Sequence, residues 1–254
     1  MTDLSTPKVA LVTGSARRIG REIVTSLHTQ GFNVAIHFHR SLQQAESLQT
    51  ELNQKRENSA ILVEANLHDR HSPQHIINSV SHQWGRLDLL INNASSFFPT
   101  PVSEYELETF EKNWDELMGS NLKAPYFLAM AALPFLKSCK GKIINIIDIH
   151  GLSPLKNHSI YCMAKAGLAM MTQSLAKDLA PDIEVNGIAP GAILWPENEA
   201  ELTESVQKVI IQKSALKTVG KPKDIANAVV FLACHAQYMT GTILKVDGGR
   251  MNLS

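Results

Sequence analysis

The chain has 254 residues, 44% of them hydrophobic, which suits one large α/β domain with a sizeable core. It carries 24 basic and 24 acidic side chains, and this balance argues against general binding to nucleic acid or to an anionic membrane surface. Three scattered cysteines show no metal-ligand spacing, and no run of about 18 apolar residues occurs. The cysteine spacing predicts no metal site. The first residues do not resemble a signal peptide, so we expect a cytoplasmic protein.

A strand, a glycine turn and a helix form the first predicted unit. Apolar residues 9–13 predict a buried strand, and a helical pattern runs from about Arg21 to Gln30. Between them, Gly14 permits a tight turn and Gly20 lets the helix pack closely on the strand, as in a nucleotide-binding βαβ unit. Arg18 stands where the usual fingerprint has its middle glycine, and a guanidinium there could bind phosphate. Two glycines alone would equally fit a plain structural turn.

The end of the second predicted strand concerns the choice between NAD and NADP. The apolar run that starts at Asn33 predicts this strand, and His37, His39, Arg40 and Ser41 lie at its end. An NAD-preferring site has Asp or Glu here to bind the ribose 2′-hydroxyl, whereas these donors suit a dianionic 2′-phosphate. The alternative is a group of solvated loop residues. We predict phosphate binding and therefore a preference for NADPH.

Two further strands are predicted to end in polar loops at the same edge of the sheet. Residues 60–65 predict a third strand that ends at Asn66, which could cap an adenine pocket, and residues 87–91 predict a fourth. The fourth strand leads into the loop Asn92-Asn-Ala-Ser-Ser-Phe-Phe-Pro99. Phe97 in this loop exposes apolar area unless a flat ligand ring or the following helix covers it, and both readings stay open.

A long helical pattern and a fifth strand come next. The helical pattern from about Glu104 to Lys137 contains Pro125 and Pro134, so we expect a kink or an interruption. Asn121 would point a polar amide inward there, which requires a partner. The apolar run at 142–147 predicts a buried strand, and Asp148 follows it at the carboxyl edge, where open α/β sheets bind ligands.

Tyr161 and Lys165 are four residues apart on the next predicted helix, which runs to about Asp178. This spacing places both side chains on one face, one turn apart. An ammonium near a phenol favours the phenolate and lowers the pKa of the tyrosine from about 10, as a proton donor near neutral pH requires. Taken alone, the spacing also fits an ordinary surface pair.

The remaining elements complete one doubly wound parallel sheet of about seven strands with helices on both faces. Residues 184–189 predict the sixth strand, which leads into Pro190-Gly191, and residues 242–249 predict the last strand and its turn. Residues 192–218 interrupt the alternation of strands and helices, and this long insertion after the sixth strand predicts a lid over the active-site edge. We expect a single domain, residues 1–254, that carries this lid as an insertion.

Together, these motifs resemble the short-chain dehydrogenase/reductase family over nearly the whole chain. The matching motifs are Thr13-Gly14…Gly20, Asn92-Asn93-Ala94, Asn121, Tyr161-x-x-x-Lys165, Pro190-Gly191 and Asp247-Gly248-Gly249. Arg18 and Asp148 depart from the wider family, and both changes are similar to its pteridine reductase branch and to bacterial dihydromonapterin reductases. The loop at Ala192-Ile193 departs from the trypanosomatid pteridine reductases.

The resemblance implies a role for each candidate site residue. The residues implied in catalysis are Asp148, Tyr161, Lys165 and Asn121. Those implied in NADPH binding are Gly14, Arg18, Ile19, Gly20, His37, His39, Arg40, Ser41, Asn66, Leu67, Asn92, Ala94, Ser95, Tyr161, Lys165, Pro190 and Gly191. Those implied in substrate binding are Arg18, Ser95, Phe97, Asp148 and Tyr161.

The implied reaction is NADPH-dependent reduction of dihydrobiopterin, dihydromonapterin or dihydrofolate to the tetrahydro form, with protonation assisted by Tyr161 and Asp148. One alternative is a carbonyl or 3-oxoacyl thioester reductase, against which Asp148 in place of the family's usual serine argues. A second alternative is a non-catalytic NADP(H)-binding sensor, against which the Tyr161/Lys165 pair argues. Family members are usually tetramers, so we expect a homotetramer that binds neither nucleic acid nor a membrane.

Overall fold

Seven parallel strands form one sheet in the computed structural model, which describes residues 6–193 and 204–252. The strands are β1 (Val9–Val12), β2 (Asn33–Phe38), β3 (Ala60–Glu64), β4 (Leu89–Asn92), β5 (Lys142–Ile146), β6 (Glu184–Pro190) and β7 (Ile243–Val246). Their spatial order is β3-β2-β1-β4-β5-β6-β7, and every neighbouring pair is parallel. The predicted seven-stranded parallel sheet is thereby confirmed.

Helices connect the strands and lie on both sides of the sheet. The α-helices of the described residues are α1 (Arg18–Thr29), α2 (Leu42–Lys55), α3 (Ser72–Trp84), α4 (Leu107–Met118), α5 (Ala124–Cys139), α6 (Ser159–Leu179), α7 (Glu204–Gln212) and α8 (Pro222–Cys234). A π-helical segment, Gly119–Lys123, joins α4 to α5. Within this part of the chain, no helix combines the length and the apolar character that crossing a bilayer requires.

The sheet divides the core into two apolar layers. Ala10 and Val12 of β1 pack with residues of α1, α2 and α8 on one face, and Val9 and Leu11 pack with residues of α3, α5 and α6 on the other. Because both faces are buried, the strands are nearly continuous apolar runs instead of alternating ones. This is the physical reason why the strands could be located in the sequence.

The direction of strand succession reverses at β1, and this reversal positions the candidate site. β1 pairs with β2 on one side and with β4 on the other. The loops that follow β1 and β4 therefore leave the sheet in opposite directions and open a crevice at its carboxyl edge. The loop after β5 ends at the same edge, so the glycine turn, the Asn92–Pro99 loop and Asp148 lie along one crevice.

The structure moves one predicted helix start and defines the predicted interruption of the long helix. α1 begins at Arg18, not near Arg21, so residues 18–20 of the expected glycine turn are helical. The interruption expected in the long helix is the π-helical segment around Asn121, and Pro125 follows it in the first turn of α5. The π-helical segment runs directly into α5, so Pro125 lies within a continuous helical run at the point where the turn changes from π to α.

The predicted lid at 192–218 is described only in part. Residues 194–203, which include Trp195, lie outside the described residues. After α7, the Leu216 N–H donates to the Gly248 carbonyl at 3.1 Å and ties this segment to the turn that follows β7. The role of the segment as a lid stays a prediction.

Gly20 provides a direct test of how closely α1 packs on the first turn. A Cβ at this position would lie 2.4 Å from the Gly14 carbonyl oxygen and 2.7 Å from the Asn93 Nδ2. We expect Gly20→Ala to lower the free energy of unfolding by about 1–3 kcal/mol, as overpacking of rigid groups does. Urea denaturation measures the loss.

Gly167→Ala is the matched control, because it is also a helical glycine whose new Cβ would meet an atom at 2.7 Å. That atom is the Cδ2 of Leu122, at the end of a flexible side chain that can move away. Equal losses in the two variants would contradict the close packing of backbone at Gly20.

Candidate active site

The turn between β1 and α1 is built to bring backbone close to the crevice. Gly14 has a φ of +61°, and a Cβ there would lie 2.9 Å from the Cα of Ala94. The side chain of Asn93 donates to the carbonyls of Thr13 at 2.8 Å and Gly14 at 3.1 Å. The Thr13 hydroxyl in turn accepts from the backbone N–H of Asn93 and of Ala94. The loops after β1 and β4 therefore form one hydrogen-bonded unit, in which Asn93 is a supporting residue that the predicted site residues did not include.

His37 supports this turn. The prediction that its imidazole binds a phosphate as a cation is wrong for this arrangement. Its Nδ1 accepts from the Gly14 N–H at 3.1 Å, and its Nε2 donates to the Ala65 carbonyl at 3.2 Å. The residue is only 2% exposed, and burial lowers the pKa of the His37 imidazole to about 4. The ring is therefore neutral at physiological pH, and both of its nitrogens are engaged within the protein.

The other predicted phosphate donors lie at the surface of the crevice. Arg18 is exposed at the start of α1, and His39 and Arg40 are exposed immediately after β2. Ser41 is half-buried just before α2. The first turn of α1 contains no acidic side chain, so the positive end of the helix dipole is not neutralised there.

The remaining predicted dinucleotide contacts lie along the same edge. Ile19 and Leu67 are half-buried against the two core layers, and Asn66 is exposed after β3, where its Oδ1 accepts from the His68 N–H at 3.1 Å. Pro190 ends β6, and the Gly191 N–H donates to the Val246 carbonyl at 2.9 Å.

Asn92 turns its side chain into the protein. Its Nδ2 donates to the Oδ1 of Asn145 at 2.8 Å, and the Asn145 Nδ2 donates to the Thr172 hydroxyl at 2.9 Å. The Thr172 hydroxyl in turn donates to the Leu168 carbonyl of α6. The side-chain amide of Asn92 therefore connects β4, β5 and α6 through its Nδ2.

Asp148, Tyr161 and Lys165 come together at the end of β5. The Tyr161 hydroxyl donates to the Asp148 Oδ2 at 2.8 Å, and the Asp148 Oδ1 accepts from the His150 N–H at 2.7 Å. The Lys165 Nζ donates to the Ile146 carbonyl at 3.0 Å and lies 5.8 Å from the centre of the Tyr161 ring. Two elements distant in sequence, the end of β5 and the first turns of α6, thus form one proton-carrying cluster.

The pKa values in this cluster differ from the sequence-based expectation. Burial, followed by the charge of Asp148 and its hydrogen bond, raises the pKa of Tyr161 well above 10. Burial also lowers the pKa of Lys165 to about 8, against the opposing effect of the Asp148 carboxylate. The prediction that Lys165 makes Tyr161 acidic is therefore wrong for this arrangement, because burial and the Asp148 carboxylate both disfavour the phenolate.

The π-helical segment places Asn121 beneath the loop that follows β4. Its Nδ2 donates to the Leu117 carbonyl at 2.9 Å and to the Ser96 carbonyl at 3.0 Å. These bonds determine the orientation of the amide, so its Oδ1 must accept, and the Ser95 hydroxyl donates to it at 2.6 Å. Asn121 is 1% exposed and supports Ser95 from inside the protein.

Phe97 lies at the mouth of the cluster and remains 53% exposed. Its ring stacks on the ring of His158, with centroids 4.8 Å apart and planes inclined by 13°. It also meets the Tyr161 ring at 4.8 Å in a nearly perpendicular arrangement. Neighbouring Phe98 packs instead on the cluster of Leu117 and Ile160, so the two adjacent phenylalanines have different environments.

A second group of residues that sequence reasoning missed supports the same loop from outside. The Ser96 hydroxyl donates to the Glu116 carboxylate, whose Oε2 lies 3.0 Å from the Nε2 of His68. Glu116 lies on α4 and His68 follows β3, so the contact joins the segment after β3 to the Ser95–Phe97 loop. Such a long-range pairing leaves no periodic signal in the sequence.

The chain is similar to known reductases over nearly its whole length. The family model described as enoyl-(acyl carrier protein) reductase matches residues 14–251. Pteridine reductase 1 of Leishmania tarentolae is 35% identical to the chain, and the match covers 98% of each protein. The 3-oxoacyl-(acyl-carrier-protein) reductase FabG of Staphylococcus aureus strain Mu50 is 34% identical, with 95% of this chain and 97% of that protein covered.

The buried, neutral His37 predicts a stability loss at low pH. Because its pKa is about 4 in the folded chain and about 6.5 in the unfolded chain, the unfolded state binds the proton first as the pH falls. The stabilisation is complete above about pH 6.5 and is lost toward pH 4, and it amounts to on the order of 3 kcal/mol. Urea denaturation at both ends of this range measures it.

His37→Gln is the variant for this test, because glutamine does not titrate in that range. We expect its unfolding free energy to depend less on pH than that of the parent, while the exposed-residue control His75→Gln follows the parent. Parallel pH curves for parent and His37→Gln would contradict the buried neutral imidazole.

Proposed function

Because this chain belongs to the short-chain dehydrogenase/reductase family, we propose that it is an NADPH-dependent reductase of pterins or folates. The observation that carries the proposal is the hydrogen bond between the Tyr161 hydroxyl and the Asp148 carboxylate. Reduction of a C=N group requires a proton at a ring nitrogen, and this pair holds a transferable proton at the crevice. The 35% identity to Pteridine reductase 1 supports the same substrate class.

The residues of the crevice fit a bound dinucleotide phosphate. The turn at Gly14 and Gly20 has no room for a Cβ, and such a turn lets backbone N–H groups approach a pyrophosphate. The basic side chains Arg18, His39 and Arg40 are exposed around it, and no carboxylate occurs at positions 37–41. Lys165 has three donors and, among the described residues, one hydrogen-bond acceptor within reach, so donors remain for a ribose.

NADPH, when bound, supplies the hydride that reduces the ring carbon. The task of the chain is to hold the substrate and to deliver the proton. The phenolic proton of Tyr161 points at the Asp148 carboxylate, so its transfer to the ring nitrogen follows protonation of Asp148. The protonated carboxyl then donates to the Tyr161 oxygen, and the phenolic proton is left for the ring nitrogen. Asp148 accepts protons from solvent and restores the phenol, since a carboxyl exchanges protons readily where a serine hydroxyl does not.

Ser95 is suited to bind the polar edge of the substrate. Because its hydroxyl hydrogen is donated to the Asn121 Oδ1, its oxygen retains lone pairs for an incoming N–H group. Pterins carry an amino group and a ring N–H on one edge, so this acceptor fits them. Phe97 offers its exposed face to the flat ring, as aromatic stacking requires.

The second candidate is a 3-oxoacyl thioester reductase, favoured by the 34% identity to FabG of S. aureus. Its substrate is a flexible chain with a carbonyl oxygen that needs hydrogen-bond donors. Asp148 offers that oxygen a carboxylate, which repels developing negative charge. We therefore rank this candidate second.

We further propose a cytoplasmic homotetramer that acts on a small molecule. Cys139, Cys162 and Cys234 are free thiols, which suits a reducing compartment. Large apolar side chains remain exposed on α4, α5 and α6, and subunit contacts would bury them; these are Trp114, Tyr126, Phe127, Met163 and Met170.

One assay separates the candidate functions. NADPH oxidation is followed with dihydrobiopterin, with dihydrofolate and with an acetoacetyl thioester as substrates. We expect turnover with at least one of the two pteridines and little with the thioester. Turnover of the thioester alone would establish the second candidate, and NADPH binding without any turnover would establish a non-catalytic sensor.

Asp148→Ser tests the proton-delivering pair. We expect kcat for the pteridine to fall by about a hundredfold, within the range for loss of general acid–base assistance, while the Kd of NADPH stays within about twofold. Asp148 raises the pKa of both Tyr161 and Lys165, so both pKa values fall in the variant. The alkaline limb of its pH–rate profile should therefore move to lower pH.

Asp178→Ser, which changes an exposed carboxylate at the far end of α6, is the matched control and should behave as the parent. An Asp148→Ser enzyme with parental kcat and an unshifted alkaline limb would contradict the role of Asp148.

Arg40→Asp tests the choice of cofactor. We expect the parent to prefer NADPH over NADH and the variant to lose about tenfold or more of that preference, since a charge-assisted hydrogen bond contributes about 1.5–3 kcal/mol. The ratio of kcat/KM for the two cofactors measures it, with the exposed-residue variant Lys177→Asp as the control for a general change of charge. Equal use of both cofactors by the parent would contradict the assignment.

A further inference from the structure

We propose that His158 is a positioning residue that holds Phe97 in the orientation in which it receives the flat substrate. This inference rests on the proposed function for the identity of the substrate, but its geometry stands on the described residues alone. His158 belongs to none of the motifs by which the chain resembles its family, and it lies one turn before Tyr161 on the approach to α6.

The contact itself is a nearly parallel stack between two rings. The centroids of Phe97 and His158 are 4.8 Å apart and the planes differ by 13°. Phe97 is 53% exposed, so it lacks the surrounding core that normally keeps a phenylalanine in one rotamer. Within the described residues, the rings of His158 and Tyr161 are the aromatic groups that contact Phe97, so we assign its orientation to them.

His158 is itself held in place. Its Nδ1 donates to the carbonyl of Lys156 at 2.8 Å, which turns the ring toward a fixed plane. The residue immediately precedes α6, the helix that also carries Tyr161. The start of α6 therefore determines where the His158 ring lies, and this ring contacts Phe97 in the loop after β4.

A second tie joins the same two segments and does not depend on either ring. The Thr100 N–H donates to the carbonyl of Asn157 at 2.6 Å. The loop therefore keeps its place when the imidazole is removed, and we expect His158→Ala to fold. Only the orientation of the Phe97 ring should become free.

His158 stacks on one face of Phe97, and Tyr161 meets the ring nearly at right angles. Phe97 is 53% exposed among the described residues, and we assign the exposed part of its ring to the ligand. A flat heterocycle stacked there lies close to Tyr161, the proton donor of the proposed function. The histidine would thus form the back layer of a stack with Phe97 in the middle and the substrate in front.

The kinetic test compares His158→Ala with His158→Phe. We expect the alanine variant to raise the KM of dihydrobiopterin by about three- to tenfold, the range for loss of one aromatic pair, with kcat changed less than about twofold. The phenylalanine variant restores a ring that can stack and should return KM to the parental value. The KM of NADPH should stay unchanged in both, and the exposed-residue variant His75→Ala is the matched control.

A spectroscopic test gives a result that does not depend on turnover. The protein is labelled with 4-fluorophenylalanine, and the Phe97 line in the fluorine NMR spectrum is assigned by its loss in Phe97→Leu. We expect this line to shift toward the position of a solvent-exposed ring in His158→Ala and to remain displaced in the parent and in His75→Ala. Thermal melting of each variant confirms that it is folded.

The outcomes separate this inference from the proposed function. An unshifted Phe97 line, or a parental KM for dihydrobiopterin in His158→Ala, would overturn the positioning role while the proposed function stands. A parent that reduces the acetoacetyl thioester but no pteridine would overturn the proposed function, and the fluorine line then decides the positioning role by itself.

Discussion

Lys165 carries its amine into the interior, where the residue is only 2% exposed. An isolated buried charge would be costly, so the position requires compensation from its surroundings. The Ile146 carbonyl accepts a hydrogen bond at 3.0 Å, and the Asp148 carboxylate raises the pKa of Lys165 against the effect of burial. Both groups belong to the end of β5. The register of α6 against β5 therefore depends on this lysine, and the position of Tyr161 follows from it.

The π-helical segment between α4 and α5 positions the loop that follows β4. Asn121 determines which way the Ser95 hydroxyl points, because its own amide is committed to the backbone carbonyls of Leu117 and Ser96. The π-helical segment carries Asn121 and directs its amide toward the Leu117 and Ser96 carbonyls. Irregular helical turns of this kind occur often at functional sites. Here the irregularity directs hydrogen-bond polarity toward the crevice.

The chain is almost equally similar to a pteridine reductase and to a 3-oxoacyl reductase, so overall identity does not decide between the two activities. The chemistry of the proton path is more informative. A carboxylate that accepts the hydrogen bond of Tyr161 opposes ionisation of the phenol and repels an oxyanion, whereas it can relay protons to a ring nitrogen. The proposed function thus depends on Asp148, because its carboxylate suits a ring nitrogen and opposes a carbonyl oxyanion.

The sequence by itself determined the parallel sheet, because strands buried on both faces are continuous apolar runs such as residues 142–147. Tyr161 and Lys165 are four residues apart in the sequence, and helix geometry alone then places both side chains on one face. Only the tertiary structure decided the role of His37, the direction of the Tyr161 pKa shift and the stacking of His158 on Phe97. Each of these depends on burial or on partners distant in the chain, and local periodicity carries no information about either.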